Sequence, residues 1–155
     1  MSEAYRLWTH GAAVIAEYTK EYTGTNNGLY LRRTGWGSQV RQKRGTSNWF
    51  HLAIPSPTTL ENRKSYHYHA FLRAKVNTDA IIDRVHVREA QGPGSHCPVI
   101  YDSGAITITG QNKDFDYNLP DNECTGPIVL CVHVKFDGNH GEVIFTGAGA
   151  RFEEK

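Results

Sequence analysis

Apolar and polar residues alternate along most of the chain, and β-branched and aromatic residues are concentrated at the apolar positions. A period of two with this composition is typical of β-strands that bury one face. Turn sequences such as QGPGS, LPDNE and DGNHG separate the alternating segments. DGNHG lies between two strong segments and therefore predicts a hairpin. The predicted strands are 12–18, 28–34, 48–54, 66–76, 80–89, 105–110, 127–136 and 142–152.

The alternating pattern also decides the fold class. No segment shows a sustained apolar period of 3.6 residues, and a short turn near LENRKS (60–65) is the only helical candidate. Eight strands without helices predict an all-β protein. We predict an antiparallel two-sheet, jelly-roll-like β-sandwich that occupies residues 1–155 as a single domain. An eight-stranded β-barrel is the alternative.

Histidines recur on the non-core faces of the predicted strands. In 127–136, alternate positions are all apolar, which places His133 on the opposite face. The same parity places His67 and His69, two apart in KSYHYHAFLRAKV, on one outer face. If the strands are neighbours in one sheet, that face carries His51, His67, His69, His86, His133, Trp49, Phe71, Arg73, Arg84 and Arg88. This set forms either a solvated outer surface or a ligand cleft.

The cleft interpretation supplies groups for acid–base chemistry. Histidine titrates near neutral pH, and arginine stabilises negative charge on a carbonyl or enolate oxygen. The predicted general acids or bases are His67, His69, His86 and His133. The predicted substrate-binding residues are Trp36, Trp49, His51, Phe71, Arg73, Arg84 and Arg88. A GxSxG serine motif is absent from the sequence, which argues against covalent catalysis on that pattern.

Charge and cysteine content narrow the class of protein. Seventeen Lys and Arg against sixteen Asp and Glu give a net charge of +1. This balance argues against a protein dedicated to nucleic acid or a membrane surface. The three cysteines have no CxxC spacing, and the N-terminus lacks a long apolar region. We therefore expect reduced thiols and a cytoplasmic location.

Metal and cofactor sites are not expected. His67-x-His69 resembles the HxH motif of cupins, but Arg73 follows where that family has a glutamate ligand. DFDYN (114–118) matches the first alternate ligands of a calcium loop, but Leu119 stands where the loop requires glycine. We predict a solvated acidic loop there, no metal and no cofactor.

A framework of short motifs resembles a loosely defined family of small, β-rich microbial proteins without an established activity. The motifs are WTHG (8–11), RRTGWG (32–37), NWFHLAIPSP (48–57), RVHV (84–87) and FTGAGARF (145–152). The resemblance implies that Trp8, His10, Arg33, Trp36, Trp49 and His51 belong to a shared framework. The predicted architecture is also similar to jelly-roll carbohydrate-binding modules and to small β-fold cyclases, an analogy at the level of the fold.

These observations lead to one functional prediction and two alternatives. The prediction is a small-molecule-binding β-sandwich that acts as a cofactor-free acid–base enzyme of secondary metabolism, of the cyclase, isomerase or lyase type. The first alternative is a lectin-like carbohydrate-binding module without catalysis, in which Trp36 and Trp49 stack on sugars and the acidic segment 112–123 adds polar groups. The second is a structural protein whose histidine face is an interface, for example in a homodimer. The expected ligand is a small organic molecule or a sugar.

Overall fold

The computed structural model describes residues 4–155, which form twelve β-strands, a 3-10 turn at Gly11–Ala13 and one short helix, α1, at Lys20–Thr23. The strands are β1 Ala4–His10, β2 Ile15–Ala16, β3 Tyr30–Thr34, β4 Gly37–Arg41, β5 Thr46–Ile54, β6 Thr59–Leu60, β7 Arg63–Val76, β8 Ala80–Glu89, β9 Val99–Asp102, β10 Gln111–Glu123, β11 Ile128–Phe136 and β12 Glu142–Glu154. No helix in this part of the chain has the length and hydrophobicity that crossing a membrane requires.

The strands form two antiparallel sheets. The larger has seven strands in the order β10-β7-β12-β4-β3, with β1 added alongside β12 and β6 alongside β7. The smaller has five strands in the order β2-β5-β11-β8-β9. The sheets do not close into a barrel. The predicted antiparallel β-sandwich is confirmed, and the barrel alternative is wrong.

The core lies between the two sheets and is built from the alternate positions of their central strands. In β5 these are Phe50, Leu52 and Ile54, and in β11 they are the even-numbered residues from 128 to 136, all buried. β12 contributes Phe145 and Phe152 from the larger sheet. Burying one such side chain contributes about 1.5–3 kcal/mol. The side chains at the intervening positions of these strands face outward, so each sheet presents an outer surface of polar and aromatic side chains.

Several local predictions are corrected. Segment 12–18 forms a 3-10 turn and the two-residue β2 rather than a long strand, and 105–110 contributes only an isolated bridge between Ile82 and Ile108. The LENRKS segment is the turn between β6 and β7, while the short helix lies at Lys20–Thr23. DGNHG does not close a hairpin, because β11 and β12 belong to different sheets. The predicted acidic loop is strand β10, whose apolar and polar residues alternate.

β-Bulges in β7 and β8 change which side chains face the core. On β7, neighbouring residues of β12 pair with His67 and His69, so Tyr68 is an extra residue. On β8, Ile82 and Arg84 pair with neighbouring residues of β11, so Asp83 is the extra residue. A bulge inverts the alternation beyond it. Both Ile82 and Val85 therefore point into the core, whereas the period of two had predicted opposite faces for them.

Candidate functional site

The structure divides the predicted histidine face among three places. The residues that do share one surface are on the outer face of the five-stranded sheet, where β5, β11 and β8 are neighbours. They are Trp49, His51, Arg84, His86, Arg88 and His133. Trp49 lies between two imidazoles, with ring centroids 4.9 Å from both His86 and His133. Adjacency of these three strands was the condition on which the predicted cluster depended.

His67 is not on a surface. The bulge at Tyr68 turns its ring into the core, where it is fully buried and its Nε2 donates to Glu89 Oε2 at 3.0 Å. Gln91 and Thr125 also donate to that carboxylate. Burial alone would raise the pKa of Glu89, but these hydrogen bonds outweigh burial and lower it. His67 and Glu89 thus connect β7 of one sheet to β8 of the other, in a position that no ligand reaches.

The other predicted residues lie elsewhere. His69, Phe71 and Arg73 are on the outer face of the seven-stranded sheet, on the opposite side of the sandwich from Trp49 and His86. Trp36 lies in the turn between β3 and β4 and is 49% exposed. The predicted catalytic histidines therefore occupy the core and both outer faces of the sandwich, and they do not converge on one cleft.

The most developed surface feature is a stack on the outer face of the seven-stranded sheet, centred on Trp8 of β1. Trp8 and Phe71 stack with their ring centroids 5.3 Å apart and an interplanar angle of 21°. The Arg73 guanidinium lies 5.0 Å from the Trp8 ring centroid, and that of Arg6 lies 5.4 Å from the Phe71 ring centroid. Phe71 is only 6% exposed, whereas Trp8 remains 40% exposed. The larger aromatic is thus held in place and still accessible to a ligand.

Glycines in β12 make room for this stack. Gly149 pairs with Trp8 on one side and with Phe71 on the other, so both rings lean over it. A Cβ at position 149 would lie 2.9 Å from Trp8 Cδ2 and 2.6 Å from the Leu7 carbonyl oxygen. The indole can therefore lie close to the sheet only because residue 149 has no side chain.

Polar residues of the edge strand β10 border the stack. Asp114 accepts two hydrogen bonds from Arg73, at 2.6 and 3.0 Å, and those hydrogen bonds lower the pKa of the carboxyl group. Asp116 and Asn118 follow at alternate positions, opposite Phe71 and His69. Both are exposed. An aromatic surface is thereby flanked by carboxylate, amide and guanidinium groups along one strand.

A depression of about 370 Å³ lies beside the indole. It is lined by Trp8, Thr9, His10, Arg73, Thr146 and Gly147. His10 Nδ1 accepts a hydrogen bond from the Ala12 amide at 2.9 Å, which orients its ring at the rim. Thr146 Oγ1 donates to the Arg73 carbonyl oxygen at 3.1 Å. The volume of the depression falls within the roughly 300–1,000 Å³ of small-molecule sites.

Trp8 was not among the predicted site residues and was named only within the shared framework. The signal was present, because Arg6, Trp8 and His10 alternate with Tyr5, Leu7 and Thr9 in YRLWTH. Strand β1 was not among the predicted strands. Its outward residues form the stack only where β1 pairs with β12, because the glycines of β12 leave room for the indole.

The exposed indole and its polar neighbours make this face suited to ligand recognition. Within residues 4–155 no three His, Cys, Asp or Glu side chains are grouped so that they hold a metal ion. All three cysteines are free, and burial raises the pKa of Cys124 to about 11 and that of Cys131 to about 12. An exposed indole supplies a surface for stacking, and the neighbouring polar groups supply hydrogen bonds that fix a ligand's orientation.

Comparison with known proteins gives a fold and no sequence relative. No family model matches the chain, and no curated protein matches it significantly. Among solved structures, it is similar to a family 29 carbohydrate binding module from Piromyces equi, with 8% identity, 99% of this chain and 91% of that chain covered, and a TM-score of 0.50. It is also similar to a structure described as BiXyn10A CBM1, with 10% identity, 93% and 94% coverage and a TM-score of 0.51.

These similarities and the site geometry correct the main functional prediction. The matched structures are carbohydrate-binding modules, and their jelly-roll fold is the fold of this chain. The cyclase, isomerase or lyase prediction is wrong, because the similar structures are carbohydrate-binding modules. The fold also separates His67 and His69 from His86 and His133. The fold agrees better with the first alternative, a lectin-like carbohydrate-binding module, than with the main prediction.

Proposed function

We propose that this protein binds carbohydrate without catalysis, on the outer face of the seven-stranded sheet. The observation that carries the proposal is the exposed indole of Trp8, stacked on Phe71 and bordered by the depression next to Arg73 and His10. The C–H-bearing faces of sugar rings pack against aromatic side chains, and their hydroxyl groups need hydrogen-bond partners in the plane of the ring. Both requirements meet at Trp8.

The polar strip on β10 supports an extended ligand. Asp114, Asp116 and Asn118 project from alternate positions, about 6.8 Å apart along an antiparallel strand. A carboxylate accepts hydrogen bonds through both oxygens, and an amide both accepts and donates. These groups suit the neighbouring hydroxyl groups of a sugar. Asp114 is held in one orientation by Arg73, so it presents a fixed acceptor. An oligosaccharide that starts on Trp8 would cross β12 and β7 to reach this strip.

The fold is consistent with this use, since the similar solved structures are described as carbohydrate-binding modules. The location of the site in this chain differs from the sequence-based alternative. That alternative assigned the stacking to Trp36 and Trp49, whereas the proposal assigns it to Trp8. Both assignments include the polar groups of segment 112–123, which lies on strand β10.

The test compares two exposed tryptophans. Soluble cellohexaose, xylohexaose and mannohexaose are titrated calorimetrically into wild type, Trp8→Ala and Trp36→Ala, with thermal unfolding to confirm folding. We expect at least one hexasaccharide to bind wild type, and Trp8→Ala to lose about 30-fold or more in affinity, since removal of a central aromatic anchor costs about 2 kcal/mol. Trp36→Ala is the matched control and should bind as wild type does. Unchanged binding by a folded Trp8→Ala would contradict the proposal.

A further inference from the structure

A second depression lies on the opposite side of the sandwich, on the outer face of the five-stranded sheet. It measures about 140 Å³ and is lined by Glu17, Trp49, His51, His86, Arg88 and Cys131. Its position separates it from the Trp8 site by the whole core. The groups around it include charged residues that the proposed Trp8 site does not use.

Most charged groups around this depression already have partners. Glu17 Oε1 contacts His51 Nε2 at 2.9 Å, and Asp83 Oδ1 contacts His133 Nδ1 at 2.6 Å. Asp102 Oδ1 accepts from Arg84 Nε at 3.0 Å. These pairs are satisfied within the fold, so they leave little capacity for an additional ligand.

Arg88 has donors left over, and the His86 ring lies beside it. His86 Nε2 is buried and faces Asp102 Oδ1 at 3.3 Å, an oxygen that also accepts from Arg84 and from the Gly104 amide. Arg88 uses Nη1 to donate to the Cys97 carbonyl oxygen at 3.0 Å and forms no ion pair among residues 4–155. The rest of its guanidinium is free to donate.

We propose that this depression is a second binding site, specific for a sugar unit that carries a carboxylate, that is, a uronic acid. The guanidinium of Arg88 offers the donor geometry that a carboxylate takes up through two oxygens, and the His86 ring lies on the same wall. The part of the Trp49 indole that His86 and His133 leave uncovered lines the depression beside them and contacts the sugar ring.

The size and position of the site specify the ligand further. A volume of about 140 Å³ is too small for a chain of sugar units, so the site takes part of a single terminal or side-chain unit. Because the two depressions are on opposite faces, both are available at once. The protein would then bind two sites of one acidic polysaccharide or bridge two chains, which increases the apparent affinity for a multivalent ligand.

The inference rests on the proposed function only for the assumption that the ligand is a sugar. The test uses methyl glucuronide and methyl glucoside, which differ in the carboxylate alone, followed by the NMR signals of the Trp49 indole and the His86 ring. The variants are Arg88→Gln and, as a matched control, Arg44→Gln in an exposed turn. We expect the glucuronide to shift both signals and to bind at least tenfold more tightly than the glucoside. Arg88→Gln should weaken glucuronide binding tenfold or more, and Arg44→Gln should leave it unchanged.

The outcomes separate this inference from the proposed function. Equal affinity for both glycosides, or no shift at Trp49 and His86, would overturn the uronate site. Trp8→Ala should leave glucuronide binding intact, while Arg88→Gln should leave hexasaccharide binding at the Trp8 site intact. A variant that loses hexasaccharide binding and retains glucuronide binding is therefore altered only at the Trp8 site. A variant with the reverse result is altered only at the depression lined by Trp49 and Arg88.

Discussion

Gly149 determines where the indole of Trp8 lies. Trp8 and Phe71 approach each other across this residue, and a Cβ there would be 2.9 Å from Trp8 Cδ2 and 2.6 Å from the Leu7 carbonyl oxygen. Backbone atoms of β1 cannot move away without weakening the pairing with β12. The stacking surface of the proposed site therefore depends on a residue that touches no ligand.

A single methyl group tests this dependence. We expect Gly149→Ala to lower the free energy of unfolding by about 1–3 kcal/mol, because overpacking forces the strand or the indole to shift. It should also weaken hexasaccharide binding. Gly35→Ala is the control, since a Cβ at position 35 meets nothing within 4 Å. Urea unfolding with equal stability for wild type and Gly149→Ala would contradict the described contact.

The buried pair of His67 and Glu89 links stability to pH. The pKa of Glu89 is lowered from its ordinary value of 4.5, because hydrogen bonds to the carboxylate outweigh its burial. A lowered carboxyl pKa means that the network's contribution to stability is complete above about pH 4.5 and is lost as the pH falls through the lower, folded-state pKa. The buried carboxylate therefore favours folding at neutral pH and ceases to do so in acid.

Replacement of the charge measures that contribution. We expect Glu89→Gln to lower the free energy of unfolding by about 1–3 kcal/mol at neutral pH, the range for losing hydrogen bonds to a charged group. The difference from wild type should shrink as the pH falls from about 6 to about 3. Glu21→Gln, on the exposed helix α1, is the control. A difference that stays constant over this range would show that Glu89 does not stabilise the fold through its charge.

Among the strands, β7 and β10 show what alternation reveals and what it conceals. Alternation correctly predicted the inward face of β7 from Ala70 to Val76. It predicted His67 wrongly, because one extra residue at Tyr68 exchanges the two faces and leaves no mark in the hydrophobic pattern. In β10, Phe115, Tyr117 and Leu119 alternate with polar residues, but their acidic neighbours led to the prediction of a solvated loop instead of a strand.

Two aspartates on the outward-facing side of β10, Asp114 and Asp116, differ in their surroundings. Asp116 is exposed, and its side chain forms no hydrogen bond or ion pair with residues 4–155. We expect Asp116→Ala to leave the melting temperature unchanged and to weaken hexasaccharide binding about tenfold, the loss of one charged hydrogen bond to a ligand. Asp114→Ala is the comparison variant, because it removes a carboxylate of the same row and also releases Arg73. Calorimetry showing full affinity in Asp116→Ala would exclude the β10 strip from the site.

At the scale of the whole molecule, strand order decides which residues meet. The sequence predicted two sheets and most core positions, because both follow from local alternation and turn chemistry. It did not predict that β7 and β8 lie in different sheets, so residues assigned to one histidine face are divided between opposite surfaces. Trp49, His51, His86 and His133 were grouped correctly because β5, β11 and β8 are neighbours.

The fold also explains why function was harder to predict than architecture. Solved structures with 8% and 10% identity share this sandwich, which shows that many different outer surfaces are compatible with one core pattern. The proposed site consists of such outer residues, brought together from β1, β7, β10 and β12 by pairing rather than by sequence proximity. The enzyme prediction failed because alternation within a single strand does not show which strands are neighbours.

The most direct test of the account is 19F NMR of protein labelled with 5-fluorotryptophan. The chain has three tryptophans, so three resonances are assigned with Trp8→Phe, Trp36→Phe and Trp49→Phe and followed during titration with a neutral hexasaccharide that binds. The account predicts that the Trp8 resonance shifts with saturation while those of Trp36 and Trp49 remain in place. A saturable shift at Trp36 or Trp49 with no change at Trp8 would contradict it.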